Sequence, residues 1–169
     1  MSGVPAHAEA LALIGFMAAG KSTLGPPLAQ VLGLGFVDLD AEIESAAGCS
    51  IPEIFAQHGE PGFRDLESRV LGQVLGRGAH VLACGGGVVE RPENLQLLKR
   101  WGHVVWLDLP FSLSLERMGE GSGRPLAADP QLRARYERRQ AAYAQADLRL
   151  DARQDTAALV QAVLEHKWA

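Results

Sequence analysis

The segment from Gly15 to Thr23, GFMAAGKST, carries two glycines, a lysine and two hydroxyls directly after an apolar run. Its spacing, Gly15-x-x-x-x-Gly20-Lys21-Ser22, is that of a P-loop. Glycines let backbone N–H groups curl around phosphate oxygens, and the helix that begins there adds its positive N-terminal end. Lys21 is placed to reach the β- and γ-phosphates, and the Ser22 hydroxyl to bind Mg²⁺. The predicted nucleotide-binding loop consists of Gly15, Ala18, Ala19, Gly20, Lys21, Ser22 and Thr23.

Two carboxylates follow in the next β-like run, GFVDLD (35–40). Asp38 and Asp40 are two residues apart, so their side chains lean the same way if this run is a strand to its end. One carboxylate could then hold the magnesium shell while the other meets an acceptor hydroxyl. The alternative is a solvated strand end without chemistry.

Basic residues and glycines recur further along the chain. EPGFRDLE places Arg64 and Glu67 one helical turn apart, and CGGGVV supplies a turn that a small ligand can approach closely. Each also has a plain interpretation, because an i,i+3 pair can be a surface ion pair and GGG can be merely a turn. GRP and then RRQAAYAQAD come later in the chain, and in that region Arg133, Arg135, Arg138 and Arg139 could form a solvated helix face. For the first three of these arginines we favour the solvated face.

The elements that must position these residues alternate in type. The β-like runs are 10–15, 35–40, 80–87, 103–109 and 146–152, and helical patterns separate them. Among the predicted helices are one from about Lys21 to Leu32, a short one over 50–59 that begins with a capping box at Ser50 and Glu53, and one from Pro61 to Leu75. Strands that are apolar on both faces and alternate with helices indicate a parallel sheet covered on both sides. We therefore predict an α/β fold, a three-layer α/β/α domain of P-loop kinase type with a five-stranded parallel sheet. A single domain is expected over 1–169, and the polar, Gly- and Pro-rich stretch 119–130 is predicted to be a mobile lid.

Composition excludes several other classes. The formal net charge is -4, which gives no general attraction to nucleic acid, and no stretch is long and apolar enough to predict a membrane span. Cys49 and Cys84 are too few for a zinc site or a disulfide framework. We expect a cytoplasmic monomer that binds neither nucleic acid nor membrane.

The ordered set of P-loop, D-x-D, GFR, GGG, GRP and R-x-x-x-Y motifs resembles shikimate kinase, in the nucleoside-monophosphate-kinase-like branch of P-loop proteins. The resemblance runs from Leu13 to about Asp147 and implies ATP-dependent phosphorylation of the 3-hydroxyl of shikimate, with ATP/ADP and shikimate as ligands and one Mg²⁺ per subunit.

The resemblance also implies roles for individual acceptor-site residues. Asp40 contacts the shikimate hydroxyls and orients or deprotonates the one that attacks. Arg64 and Arg139 pair with the carboxylate, although Arg138 competes with Arg139 because the family often has R-x-P-L-Y where this chain has RQAAY. The residues that hold the ring through backbone contacts are Gly85, Gly86 and Gly87.

On the nucleotide side, the resemblance implies that Lys21 and Arg124 are catalytic, with Arg124 of the lid stabilising the moving phosphoryl group. Arg117 lines the adenine, and Arg153 could also reach it. Ser22 and Asp38 belong to the magnesium shell. Two alternatives remain at the level of sequence: a gluconate-kinase-like enzyme, and a nucleotide-binding module without turnover.

Overall fold

A five-stranded, entirely parallel sheet in the order β2-β3-β1-β4-β5 forms the centre of the protein. The computed structural model describes residues 9–122 and 129–168. The strands are β1 (Leu11–Ile14), β2 (Gly35–Asp38), β3 (His80–Ala83), β4 (His103–Asp108) and β5 (Leu148–Asp151). The helices are α1 (Lys21–Leu32), α2 (Leu39–Ala47), α3 (Ile51–Leu75), α4 (Pro92–Trp101), α5 (Phe111–Ser122), α6 (Pro130–Tyr143) and α7 (Thr156–Glu165), with a 3-10 turn at Val88–Glu90.

Alternation along the strands divides the apolar side chains between two cores. In β1, Leu11 and Leu13 face a core shared with α1 and α7. Ala12 and Ile14 face the other core, to which α2, α3, α4 and α6 contribute. All four β1 residues are buried, because this strand lies between β3 and β4 and both of its faces are covered. The predicted three-layer α/β/α architecture is confirmed.

The second strand is shorter than predicted, because Asp38 ends it by capping a helix. Its Oδ1 accepts hydrogen bonds from the backbone N–H groups of Asp40 at 2.9 Å and Ala41 at 3.3 Å. An aspartate at this position satisfies N–H donors that have no partner within the helix. The prediction of a strand over 35–40 is therefore wrong, and Asp40 lies instead in the first turn of α2, which the sequence pattern did not predict.

Two predicted helices are joined in α3. The expected capping box at Ser50 and Glu53 is present, and the helix then continues to Leu75 with a kink at Gly59. Gly59 has φ 67° and ψ -178°, which only glycine adopts readily. This kink changes the direction of the chain shortly before Arg64.

Several other boundaries also shift. The strand expected over 80–87 ends at Ala83, and residues 119–122 of the predicted lid are the last residues of α5. Asp129 caps α6 by accepting from Gln131 N–H, and the rest of the predicted lid lies outside the described residues. None of the helices within the described ranges has the length and apolarity needed to cross a membrane.

Candidate active site

The P-loop lies between β1 and α1 and is shaped by three residues with positive φ: Gly15 (149°), Ala18 (62°) and Gly20 (97°). A Cβ on Gly15 would lie 2.5 Å from the carbonyl oxygen of Leu107, so this position has neither the space nor the conformation for a side chain. Among the described residues, Ala18 is the single non-glycine with positive φ. The loop thus accepts local backbone strain in order to keep its concave shape.

The first turn of α1 is open to an anion. Its N-cap residue, Gly20, offers no side-chain acceptor, and the turn contains no acidic residue. By contrast, carboxylate or hydroxyl side chains cap α2, α3, α6 and α7. The uncapped N–H groups and the positive end of the helix dipole are the features that bind phosphate.

Lys21 is held at the loop by two backbone contacts. Its Nζ donates to the carbonyl oxygens of Gly15 at 2.6 Å and Phe16 at 3.0 Å. Burial lowers the pKa of Lys21 to about 8, although the negative charge of Asp40 opposes the shift. Because the charged form of Lys21 is weakly favoured in this buried site, the negative charge of bound phosphate groups would stabilise it.

Ser22 and Asp38 bring two oxygen donors together. The Ser22 hydroxyl donates to Asp38 Oδ2 at 2.8 Å, while Oδ1 of the same carboxylate caps α2. Hydroxyl and carboxylate oxygens are suitable ligands for Mg²⁺, which commonly takes one or two protein ligands and completes its shell with water and substrate phosphates. The residues at this position therefore fit the ion that the sequence predicted.

Asp40 faces the glycine turn from the first turn of α2. A Cβ on Gly85 would lie 2.8 Å from Asp40 Oδ1, so the missing side chain leaves room for the carboxylate. Burial, reinforced by the charge of Asp38, raises the pKa of Asp40, and Lys21 only partly opposes this. A raised pKa makes the carboxylate a better proton acceptor.

Arg64 projects from α3 into the same turn. Its Nη1 donates to Glu67 Oε1 at 2.8 Å, and both side chains are buried, at 9% and 1% exposure for the two residues. A Cβ on Gly87 would lie 2.6 Å from the Arg64 guanidinium carbon, so this glycine leaves the space that the guanidinium fills. Burial raises the pKa of Glu67, and the charge and hydrogen bond of Arg64 oppose the rise. The surface-pair interpretation of Arg64 and Glu67 is therefore wrong.

Arg139 enters from α6 and is also buried. Its Nε donates to Glu90 Oε1 at 2.7 Å, and a Cβ on Gly86 would lie 3.3 Å from its Nη1. Burial tends to raise the pKa of Glu90, but hydrogen bonds from Arg138 and Arg139 outweigh it and lower the pKa to about 2. The side chain of Arg138 is 57% exposed and reaches Glu90 from the solvent side. Of the two competing arginines, Arg139 is the one directed into the protein.

The glycine turn also has a role that its sequence did not indicate. Each of its three glycines lies against one charged side chain, Asp40, Arg64 or Arg139. Tyr143 fixes the middle of the turn, because its buried hydroxyl donates to the Gly86 carbonyl at 2.5 Å. The absence of side chains at these three positions therefore makes room for three charged groups.

Two cavities meet at Asp40. One of about 490 Å³ is lined by the P-loop, Asp38 and Arg117. The other, of about 200 Å³, is lined by Arg64, Glu67 and Arg139 together with apolar side chains. Four residues line both cavities: Met17, Asp40, Gly85 and Gly86. A group bound in one cavity can therefore reach a group bound in the other at the Asp40 carboxylate.

The remaining predicted site residues lie around the larger cavity, in a separate cavity or outside the described ranges. Arg117 donates to the carbonyl oxygens of Ala18 at 3.0 Å and Ala152 at 3.2 Å, which joins the P-loop to the segment after β5. Arg153 pairs with Asp151 in a separate cavity of about 350 Å³ beyond β4 and β5. Arg124 lies outside the described residues.

Several residues that line the smaller cavity were not predicted from the sequence. Phe55 and Phe63 stack at 4.6 Å between ring centroids and form part of its wall. Arg135 also lines it, although the sequence analysis favoured a solvated face for this arginine. Arg135 is four residues before Arg139, and this spacing on one helix face was the signal that could have placed it.

The site defines a P-loop kinase that acts on small molecules. It combines an uncapped P-loop helix, a carboxylate where two cavities meet and a second cavity lined by arginines. The family model "Shikimate kinase" matches residues 17–167. The chain belongs to the shikimate kinase family.

Individual relatives agree with this assignment. A shikimate kinase from Synechococcus elongatus is 45% identical over 161 residues, which cover 92% of this chain and 84% of that protein. A solved structure of shikimate kinase from Acinetobacter baumannii in complex with shikimate has a TM-score of 0.84 and 39% identity, and the match covers 93% of this chain and 91% of that one.

The gluconate-kinase alternative has support only at the level of fold. A gluconokinase from Sinorhizobium meliloti has a TM-score of 0.61 at 19% identity, covering 92% of this chain and 89% of that one. Such a likeness shows a shared architecture and gives no information about the acceptor.

Proposed function

We propose that the protein transfers the γ-phosphoryl group of ATP to the 3-hydroxyl of shikimate, giving shikimate 3-phosphate and ADP in chorismate and aromatic amino acid biosynthesis. The observation that carries this assignment is the position of Asp40, which lies where the P-loop cavity meets the arginine-lined cavity. Nucleotide in the first and acceptor in the second would bring the hydroxyl and the γ-phosphate together beside one carboxylate.

The proposed transfer forms one P–O bond and breaks another. The 3-hydroxyl oxygen bonds to the γ-phosphorus, the bond from that phosphorus to the β–γ bridging oxygen breaks, and ADP carries away the electron pair. The hydroxyl proton passes to Asp40, whose burial favours the protonated form. Little further covalent work is needed, because phosphoryl transfer is accelerated chiefly by positioning and electrostatic stabilisation.

Arg64 and Arg139 orient the acceptor through its carboxylate in this proposal. They come from different helices and both are buried, and Glu67 and Glu90 hold their guanidinium groups in place. Two charge-assisted contacts on one small acid restrict its rotation, which directs a single hydroxyl at the phosphate. Gly85, Gly86 and Gly87 would hold the ring beside them.

On the nucleotide side, Lys21 would leave its carbonyl partners and bind the β- and γ-phosphates, and the N–H groups of the first turn of α1 would bind phosphate oxygens. We assign one Mg²⁺ per subunit to Ser22 and Asp38, where it would supply charge neutralisation on the phosphates. Arg117 is assigned to the adenine.

The remaining parts of the proposal concern the chain as a whole. We propose a single kinase domain over 1–169 that acts as a cytoplasmic monomer. The segment 119–130 would be a lid that carries Arg124 to the transferring group and excludes water on closure.

One assay tests the proposed function. ADP release is measured by a coupled reaction with shikimate, with gluconate and without acceptor, using the same preparation and Mg·ATP. We expect release that depends on shikimate. Faster turnover with gluconate, or release equal to that without acceptor, would contradict the assignment.

A further inference from the structure

The smaller cavity, hereafter the acceptor pocket, is lined by three arginines and two carboxylates: Arg64, Arg135, Arg139, Asp40 and Glu67. Glu90 lies outside this lining but pairs with Arg139, so a count of charges alone gives no surplus. What matters for an anionic acceptor is which of the three arginines lacks a carboxylate partner.

Two of the three arginines already have carboxylate partners. Arg64 is bound to Glu67 at 2.8 Å and Arg139 to Glu90 at 2.7 Å. In each pair the carboxylate cancels most of the positive charge of the arginine, so the pair attracts an incoming anion less strongly than a free guanidinium does. Arg135 differs, because it forms no salt bridge or side-chain hydrogen bond with any residue in the part of the chain that the structure describes.

Arg135 is kept at the pocket by its helix. It precedes Arg139 by one turn of α6, so the two side chains lie on the same helix face. Its neighbour Tyr136 fixes that face by donating to the Leu109 carbonyl at 3.0 Å and by packing edge-on against Phe16. Arg133 and Arg138, on other faces of α6, pair with Glu137 and Glu90.

We propose that Arg135 is a specificity-determining residue of the acceptor pocket, which supplies the uncompensated positive charge that favours an acidic acceptor over a neutral polyol. This inference rests on the proposed function, because it takes the acceptor to be an acid bound beside Arg64 and Arg139. Arg135 acts through its charge on acceptor binding and takes no part in the transfer step.

The test compares Arg135→Gln and Arg135→Lys with wild type in steady-state kinetics at low and high ionic strength. The Arg135→Gln change should raise the KM for shikimate by about fivefold to tenfold, the size of one screened charge interaction in a half-buried site. The kcat and the KM for ATP should stay within about twofold of wild type. Arg135→Lys should restore most of the affinity, and the rise of KM with salt should be weaker in Arg135→Gln.

Arg133→Gln is the matched control, because it removes the same charge from the same helix outside the acceptor pocket. A KM for shikimate in Arg135→Gln within about twofold of wild type would overturn the inference. So would an equal effect of Arg133→Gln, or a loss in kcat that lysine fails to restore. These outcomes apply when the wild-type protein phosphorylates shikimate. If the wild-type protein fails to phosphorylate shikimate, the proposed function itself is contradicted.

Discussion

Replacement of Gly87 by alanine tests whether the glycine turn exists to make room for charged side chains. Gly87 has φ -92° and ψ 8°, so alanine meets no backbone strain there. The new Cβ would lie 2.6 Å from the Arg64 guanidinium carbon, well inside ordinary contact, and the guanidinium must move. Any effect of the substitution therefore arises from the displaced arginine.

The size of the effect follows from what Arg64 would leave behind. Glu67 is 1% exposed, and its hydrogen bond to Arg64 is the contact that compensates its charge. A fully broken buried ion pair costs about 3 kcal/mol. That is the upper limit here, because the guanidinium is the flexible end of its side chain and can shift while keeping part of its contact with Glu67. For a domain of this size, Tm should therefore fall by up to about 6–12 °C. The KM for shikimate should also rise by about tenfold or more, since a charge-assisted contact is lost.

The assay combines thermal denaturation with steady-state kinetics on Gly87→Ala and on a matched control, Gly72→Ala. Gly72 lies within α3, and a Cβ there meets nothing within 4 Å. The control should be more stable than wild type by about 0.5–1 kcal/mol, as expected for glycine to alanine in a helix. If Gly87→Ala keeps the Tm and the shikimate KM of wild type, the turn does not hold Arg64 in place and the reasoning fails.

Further predictions concern the residues proposed for catalysis and binding. Lys21→Met should abolish turnover in a folded protein, and activity within about tenfold of wild type would refute the role of this amine. Burial lowers the pKa of Lys21 to about 8, and bound phosphates favour its charged form, so ADP binding at higher pH must take up a proton. The Kd of ADP, measured by calorimetry, should therefore rise by up to about tenfold per pH unit above that pKa, and this slope should be absent in Lys21→Met. Arg139→Ala should raise the shikimate KM strongly and leave ATP affinity nearly unchanged, and a larger effect of Arg138→Ala in the same kinetics would reverse the choice between the two. Arg124→Ala should lower kcat sharply and change the Kd of ADP only modestly, and an unchanged kcat would refute its role in the lid.

The sequence predicted best what depends on local pattern. The P-loop could be located because its spacing, its strand and its helix are adjacent in the chain, and α1 has the predicted bounds Lys21–Leu32. The capping box at Ser50 was likewise visible from two residue types three positions apart.

What the sequence could not predict depends on competition or on distant packing. Asp38 could continue a strand or cap a helix, and the cap prevailed because it satisfies two backbone N–H groups. The sequence pattern favoured a solvated face for Arg135. The rotation of α6 that brings Arg135 to the cavity is set instead by contacts of Tyr136 with Leu109 and Phe16, which are distant in sequence. The side chains that pack against the glycine turn, Asp40, Arg64 and Arg139, likewise come from helices that are distant from it in sequence.

The origin of these partners has a consequence for refolding. Asp40, Arg64 and Arg139 come from three helices, and the glycines that accommodate them lie between the second and third in sequence. A chain with native helices but with α6 not yet docked would lack Arg139 and the Tyr143 contact with Gly86. Contacts of such long sequence separation form late, since chain entropy opposes their closure. Recovered enzyme activity after denaturation therefore reports completed topology, and it should lag behind recovery of helical circular dichroism.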